Sequence, residues 1–484
     1  TNATLPVKSN RFSAIDACVL SLIPAFVLLL LRRCPFQAAY LRVGQAVKLS
    51  RLIATQRREK HVSGSGKSGE VIDITDMRNP VLSDAQKMAL AGAAQATFDF
   101  STNTFLETAK AQTGLSDFGA MDFVERLNIW CEAINEDEFL SPVGKAGLWT
   151  MILRYASDRL RVEDICKRHP EILDIEIDRP IIVAGPPRSG TTHLLGLLSA
   201  DTRLRSLPWW EAIAPVPTDA DAPTATDPNP RWTRADAGWQ QFEALLPYMA
   251  YMHEFTADHI SEDIELQALD FSSYLIEWMA HVPKWRDYYL SHDQTGTYAY
   301  LKKGLQVLTF LKGPNRWVIK CPQHMEQLPA LRATFPDATY VITHRDPVGS
   351  IRSSLSMALY ASRVLRTKSD PEESKGYWID RYKTLLERCV RDHHILPPEQ
   401  TVDVYFHEWI KDPNPILAEI YAKADMPLDA ATLATLHQYH ADNDPGVKGR
   451  VVFNLERDFD IAAEDIRSQF QFYFDRFPVQ KEVK

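Results

Sequence analysis

Residues 181–198 read IIVAGPPRSGTTHLLGLL, and few architectures accommodate such a segment. Ile181 to Ala184 form an apolar run suited to a short buried strand. Gly185, Pro186, Pro187, Arg188, Ser189 and Gly190 then break regular structure, because proline lacks an N–H and glycine tolerates unusual backbone angles. From Thr191 onward the apolar residues recur at helical spacing. A strand, a tight loop and a helix start in that order aim backbone N–H groups and a helix N-terminus at an anion, usually a phosphate. The span from Gly185 to Thr192 meets the pattern G-x-x-x-x-G-K-[ST] except at one position, where Thr191 replaces lysine. That lysine reaches the β/γ-phosphates of a nucleoside triphosphate. Its loss favours another phosphate donor over a triphosphate. The plain alternative is an ordinary βα turn.

A second segment, TYVITHRDPVGSIRSSLSMAL at 339–359, narrows the choice. Thr339 to Thr343 is a buried-strand pattern, and a helix begins near Val348. Arg345 leaves the strand, and Ser353 lies eight residues further on, in the helix. An arginine for bidentate contact and a hydroxyl from the next helix suit one phosphate group.

Together the two segments resemble the sulfotransferases that use 3′-phosphoadenosine 5′-phosphosulfate (PAPS). Arg188, Ser189, Gly190, Thr191 and Thr192 match the loop that holds the 5′-phosphosulfate in that superfamily, with Pro187 ahead of them. Arg345 and Ser353 match its arginine and serine for the 3′-phosphate. Lys320, Cys321, Pro322, Gln323 and His324 match the K-x-P-x-H element of the large bacterial-type branch. The resemblance runs from about residue 100 to 475. It implies PAPS as donor, 3′-phosphoadenosine 5′-phosphate (PAP) as by-product and no metal. It also implies a late basic loop over the 3′-phosphate, for which Lys448, Gly449 and Arg450 are the candidates, and an aromatic beside adenine, for which Phe406 is.

The expected fold is α/β: a P-loop-like parallel sheet flanked by helices, with an N-terminal helical region and a helical insertion. Strands are expected at 180–184, 316–320, 339–343 and 401–406, alternating with helical stretches. Ligands of such sheets bind beyond the carboxyl ends of the strands. Residues 71–178 read as a helical cap, and 179–484 as the α/β domain, interrupted at about 209–310. That insertion is dense in large rings, among them Trp209, Trp210, Trp239, Phe242, Phe255 and Trp278. Most should be helix core. A subset lining an apolar pocket would suit a lipophilic alcohol or phenol as acceptor.

Sulfuryl transfer needs a base for the acceptor's proton and positive charge near the leaving phosphate. His324 is the first candidate base, since it follows the strand ending at Lys320 and imidazole titrates near working pH. Glu211, beside Trp209 and Trp210, is the rival, its carboxyl raised by apolar neighbours. Lys320 and Arg188 are placed to neutralise charge on the bridging oxygen.

Charge and cysteines exclude other classes. A net charge of −9 argues against broad nucleic-acid binding, so an anionic cofactor must be held by a local cationic cluster. The six cysteines are scattered with no C-x-x-C, which fits free thiols in a reducing compartment. His393–His394 and His437/His440 have no acidic or cysteine partner at metal-ligand spacing, so no metal site is expected. Ala17 to Leu31 is apolar and uncharged, followed by Arg32 and Arg33, and 37–60 is basic and amphipathic. This predicts a cytoplasmic protein attached through 17–60 to the inner face of a membrane; a buried helix or homodimer contact is the alternative. Val62 to Glu70 reads as a flexible linker. Two rival functions remain at this level: a P-loop kinase or NTPase, and a non-catalytic membrane-associated binding protein on this fold.

Overall fold

Ile181, Ile182 and Val183 are β-branched and fully buried, as a central parallel strand covered on both faces requires. The computed structural model describes residues 70–443 and 449–482. The segment expected at a membrane (17–60), linker residues 62–69 and Lys448 lie outside the described residues. Among the described residues seven strands form: β1 (Val71–Ile72), β2 (Ile181–Ala184), β3 (Leu204–Arg205), β4 (Arg316–Lys320), β5 (Thr339–His344), β6 (Thr401–Tyr405) and β7 (Arg450–Val451). Five of them make one parallel sheet in the order β3-β4-β2-β5-β6. The strand pattern expected near 180, 316, 339 and 401 is present. Two short elements escape the sequence pattern: β3 at the sheet edge, and β1, which pairs in parallel with β7.

Alternate residues of each strand face opposite layers. Ile182, Ala184, Ile319, Tyr340 and Ile342 join the larger core. Ile181, Val183, Val318 and Val341 join the smaller one, with Leu194, Leu195, Leu197 and Leu198 of the helix that follows β2. Each such side chain, fully buried, contributes about 1.5–3 kcal/mol.

The helical region before the sheet divides into α1 (Asp84–Ala93), α2 (Thr102–Thr113), α3 (Phe123–Glu136) and α4 (Pro142–Arg168). Ser83 and Gln86 close a capping box on α1. Ser141 caps α4 by accepting from Gly144 N (2.9 Å) and donates to Val364 O (2.5 Å). Leu148 and Ile152 of α4 lie in the same core as Ile182 and Ile342, so these helices are not a separately packed unit.

Beyond β2 lie α5 (Thr191–Ser199), α6 (Pro230–Leu245), α7 (Pro283–Ser291), α8 (Thr295–Lys312), α9 (Pro347–Leu365) and α10 (Pro371–Asp392). Asp346 caps α9 by accepting from Val348 N (3.0 Å), with Pro347 in the first turn. The insertion departs from the helical expectation at 253–263. There the chain turns and crosses the sheet end, and it is held to residues 207–210 by Trp209 N to His259 O (2.8 Å), Trp210 N to Ala257 O (3.1 Å) and Ser261 N to Leu207 O (2.7 Å). Among the described residues no helix is long and apolar enough to cross a membrane.

Candidate active site

Because β4, β2 and β5 are neighbours, the segments leaving their carboxyl ends lie side by side. These are Lys320, the loop Gly185–Gly190, and Arg345. Two glycines of the loop are required by space. A Cβ on Gly185 would stand 1.8 Å from Thr343 Oγ1 on β5. Gly190 has φ +87° and carries the Phe406 ring 3.2 Å from where its Cβ would be. Arg188 also adopts a left-handed backbone, φ 67°, a conformation costing about 1–3 kcal/mol that the surroundings must enforce. They do so from three sides. Pro187 O accepts from Tyr382 Oη (2.9 Å), Arg188 O accepts from Arg345 Nη1 (2.5 Å), and Arg188 Nε donates to Ser353 Oγ (2.9 Å).

The expected pairing of Arg345 with Ser353 is therefore indirect. Arg188 stands between them, its carbonyl taken by one and its guanidinium by the other. Ser189 does not offer its hydroxyl to the loop's opening: Oγ donates to Pro186 O and meets Thr343 Oγ1, both at 2.7 Å. Thr191 is buried and Thr192 exposed. Thr192 Oγ1 accepts from Lys320 Nζ at 3.3 Å. Burial, together with the neighbouring Arg345, lowers the Arg188 pKa.

Arg345 has a partner that sequence reasoning missed. Glu482 grips it in a fork, with Nη2 to Oε2 at 2.7 Å and Nε to Oε1 at 3.0 Å. Glu482 N in turn donates to Asp346 Oδ2 (2.9 Å). The Arg345 guanidinium lies 3.8 Å over the Phe406 ring. Phe406 thus serves as a platform for Arg345 and a cover for Gly190. Gly449, with φ +87°, and Arg450 sit beside Glu70 and Tyr251, Arg450 N donating to Glu70 O (2.9 Å).

Both candidate bases are buried and already hydrogen-bonded or ion-paired. His324 is fully buried, and both ring nitrogens are engaged: Nδ1 with Tyr298 Oη (2.9 Å) and Nε2 with Asp263 (3.2 Å). It lies in the 3₁₀ turn Pro322–Glu326 and has no nitrogen open to an incoming hydroxyl. Glu211 is also buried, and its carboxylate is held by Arg205 (3.2 Å) and Lys312 (3.0 Å). Arg205 pairs beside Trp317 at the start of β4, and Lys312 ends the helix leading into β4. Glu211 is therefore tied to the start of β4 through both partners.

Lys320 closes β4. It is buried, and its Nζ meets Glu262 as well as Thr192. Glu262 belongs to the crossing segment, as do His253 and His259, and sequence pattern marks none of these as functional. Burial, His259, Arg188 and Lys320 drive the His253 pKa well below its ordinary value.

One metal expectation also needs correction. His393 has an acidic neighbour in space, Asp403, whose Oδ1 meets Nε2 of His393 (2.8 Å) and Nε2 of His344 (2.9 Å). The donor atoms of this trio lie within 4.8 Å of one another. Its hydrogen bonds close on themselves, with His344 Nδ1 on Tyr473 Oη (2.8 Å) and Arg476 approaching His393. Burial lowers the His344 pKa. Asp403 is half-buried; burial raises its carboxyl, but its two imidazole partners hold it far below the usual range.

The sulfotransferase family profile matches residues 180–430. A comparison with curated proteins finds no match. Among solved structures, the chain is similar to the sulfotransferase STF1 from Mycobacterium tuberculosis, at 28% identity and a TM-score of 0.67, over 77% of this chain and 99% of that one. It is also similar to the sulfotransferase STF9 from Mycobacterium avium, at 26% identity and a TM-score of 0.70, over 80% of this chain and 100% of that one. A profile spanning more than half of the sequence, on a sheet shared with two sulfotransferases along nearly their whole lengths, places this chain in the sulfotransferase family, as a transferase.

Proposed function

We propose that the protein moves a sulfuryl group from PAPS to the hydroxyl of a small, lipophilic acceptor and releases PAP. The observation that carries this reading is the linkage of Arg345, Arg188 and Ser353 beside the N-terminus of α5. A nucleotide with anionic groups at both its 3′ and 5′ positions needs two such cationic stations a few ångströms apart. The backbone from Pro187 through Thr192 takes the 5′ end, with Lys320 and Arg188 beside the bond that breaks. Arg345 and Ser353 take the 3′-phosphate, Phe406 lies beside the base, and Gly449 and Arg450 cover the donor. Trp209, Phe255, Trp239 and Phe242 form a partly exposed ring cluster at the crossing segment, with centroids 5.3–6.4 Å apart, which favours an apolar acceptor.

The test is direct. Incubation with PAPS and a panel of alcohols and phenols should yield products heavier by one SO₃, with PAP released in equal amount. Calorimetry should show PAP binding without divalent metal. Tight binding confined to ATP with Mg²⁺ would sink the reading.

Glu482 adds a second expectation. Its carboxylate occupies the Arg345 guanidinium that this reading gives to the 3′-phosphate. Arg345→Ala should weaken PAP binding by about 1.5–3 kcal/mol, the scale of a charge-assisted hydrogen bond. Glu482→Gln should strengthen it by up to about fivefold, since a partly exposed ion pair contributes roughly 1 kcal/mol or less. Both shifts are read from PAP titrations, and a Glu482→Gln enzyme that binds PAP more weakly than wild type would contradict the competition.

A further inference from the structure

We propose that His253 is the general base that takes the acceptor's proton. The proposal rests on the sulfotransferase reading and names the residue that does its proton chemistry. Three observations converge on it.

The first is place. His253 leaves the short helix Met249–Met252 and opens the segment that crosses the carboxyl end of β4. Further along, that segment sets Glu262 against Lys320 Nζ, and Asp263 N donates to Lys320 O (3.2 Å). The imidazole is half-buried and stacks on Phe255, with centroids 4.2 Å apart and planes at 16°, within the ring cluster that suits an apolar acceptor.

The second is tautomer. His253 Nδ1 lies 3.2 Å from Glu254 O. A carbonyl only accepts, so Nδ1 carries the hydrogen and the Nε2 lone pair is left for a proton. His324 has no such freedom, since Tyr298 and Asp263 take both of its nitrogens.

The third is electrostatic. Burial lowers the His253 pKa most, and His259 on its own segment, Arg188 from the loop after β2 and Lys320 from β4 lower it further, against the hydrogen bond to Glu254 O. These groups and burial keep the ring neutral in the free enzyme. An anionic donor lying against Arg188 and Lys320 offsets both cations and restores basicity to the ring. The base is therefore strongest when the donor is in place.

In the step itself, the acceptor O–H bond breaks and the proton passes to His253 Nε2. The acceptor oxygen forms a bond to sulfur as the sulfur–oxygen bond to the phosphate breaks. That electron pair stays on the phosphate oxygen, beside Lys320. No oxidation or reduction occurs. His253 then returns its proton to solvent.

The experiment has two arms on the full chain. In the first, NMR titration of ring-labelled histidine, with His253→Gln identifying the signal, should give a His253 pKa below the ordinary range in the free enzyme. Saturating PAP should raise it. This arm needs no acceptor. In the second, His253→Ala should lower kcat by roughly 10²-fold and leave PAP affinity nearly unchanged. The acid limb of the pH–rate profile should disappear in that variant, and added imidazole should restore part of the rate. A residue that only shapes the lid would change KM and show no rescue. A His253 pKa unmoved by PAP, or a His253→Ala kcat within about threefold of wild type, would overturn the assignment. Failure of the wild-type enzyme to bind PAP would overturn the sulfotransferase reading, and the base assignment with it.

Discussion

Replacing Lys320 with methionine should lower kcat by roughly 10²–10³-fold, the loss that follows removal of one preorganised charge partner at a developing anion. The lysine is only 2% exposed, so bulk water cannot take over its role. Its Nζ stands between Thr192 at the start of α5 and Glu262 on the crossing segment. Methionine keeps the stem and deletes the ammonium, and it leaves the Glu262 carboxylate unpartnered and half-buried. Lys320→Met/Glu262→Gln should therefore regain thermal stability relative to Lys320→Met while recovering little turnover. Steady-state kinetics and a melting curve on the two variants separate these effects. A double variant that regained most of its kcat would show that the stray carboxylate, and not the lost ammonium, had inhibited the enzyme.

Arg381→Ala should remove about 3–5 kcal/mol of folding stability, because it leaves two buried carboxylates without a cation. Arg381 on α10 reaches Glu277 through Nε (2.9 Å) and Glu326 through Nη1 and Nη2 (2.6 Å each), and all three side chains are at most 2% exposed. Glu326 closes the 3₁₀ turn that carries His324, so this ion triad ties α10 to the end of β4. Burial already raises the Glu277 carboxyl above its ordinary range. Without the arginine, which now lowers it, the Glu277 carboxyl should rise further in the folded state than in the unfolded one. A raised carboxyl stabilises the fold at low pH and loses that contribution as pH rises through its folded pKa. The deficit of Arg381→Ala, measured by urea unfolding, should thus be smaller near pH 5 than near pH 8. Arg381→Lys should not restore wild-type stability, since one ammonium cannot fork to two carboxylates.

The sheet and the phosphate loop were legible because their signals are local. A β-branched run, a break at Gly185 and an apolar helix lie within one short stretch of chain, and the same holds from Thr339 to Leu359. What these signals lack is side-chain direction. His324 follows the correct strand, yet Asp263, 61 residues earlier, draws its ring into the core. Glu211 has tryptophan neighbours in sequence, yet its ion-pair partner Lys312 lies far along the chain. Glu482, 137 residues after Arg345, carries no motif at all. His253 was one histidine among fourteen, and only the path of its segment across β4 sets it apart. The Asp403 trio was missed for the same reason, because His344 and His393 come together through β5 and β6 and not through sequence spacing.

The pairing of β1 with β7 bears on the order in which the molecule folds. Val71 and Ile72 meet Arg450 and Val451 in a parallel ladder, and Arg457 braces it through Asp73, 384 residues away in the chain (2.7 Å). Closing so long a loop costs entropy before any contact rewards it, and non-local pairings of this kind form slowly. The central strands, joined through much shorter spans, can assemble first. Arg450 therefore takes its place late, after the loop Gly185–Gly190 is already in register. A refolding chain would pass through a form with a built central sheet and an open β1–β7 ladder, and the segment from Val71 would be the last to dock.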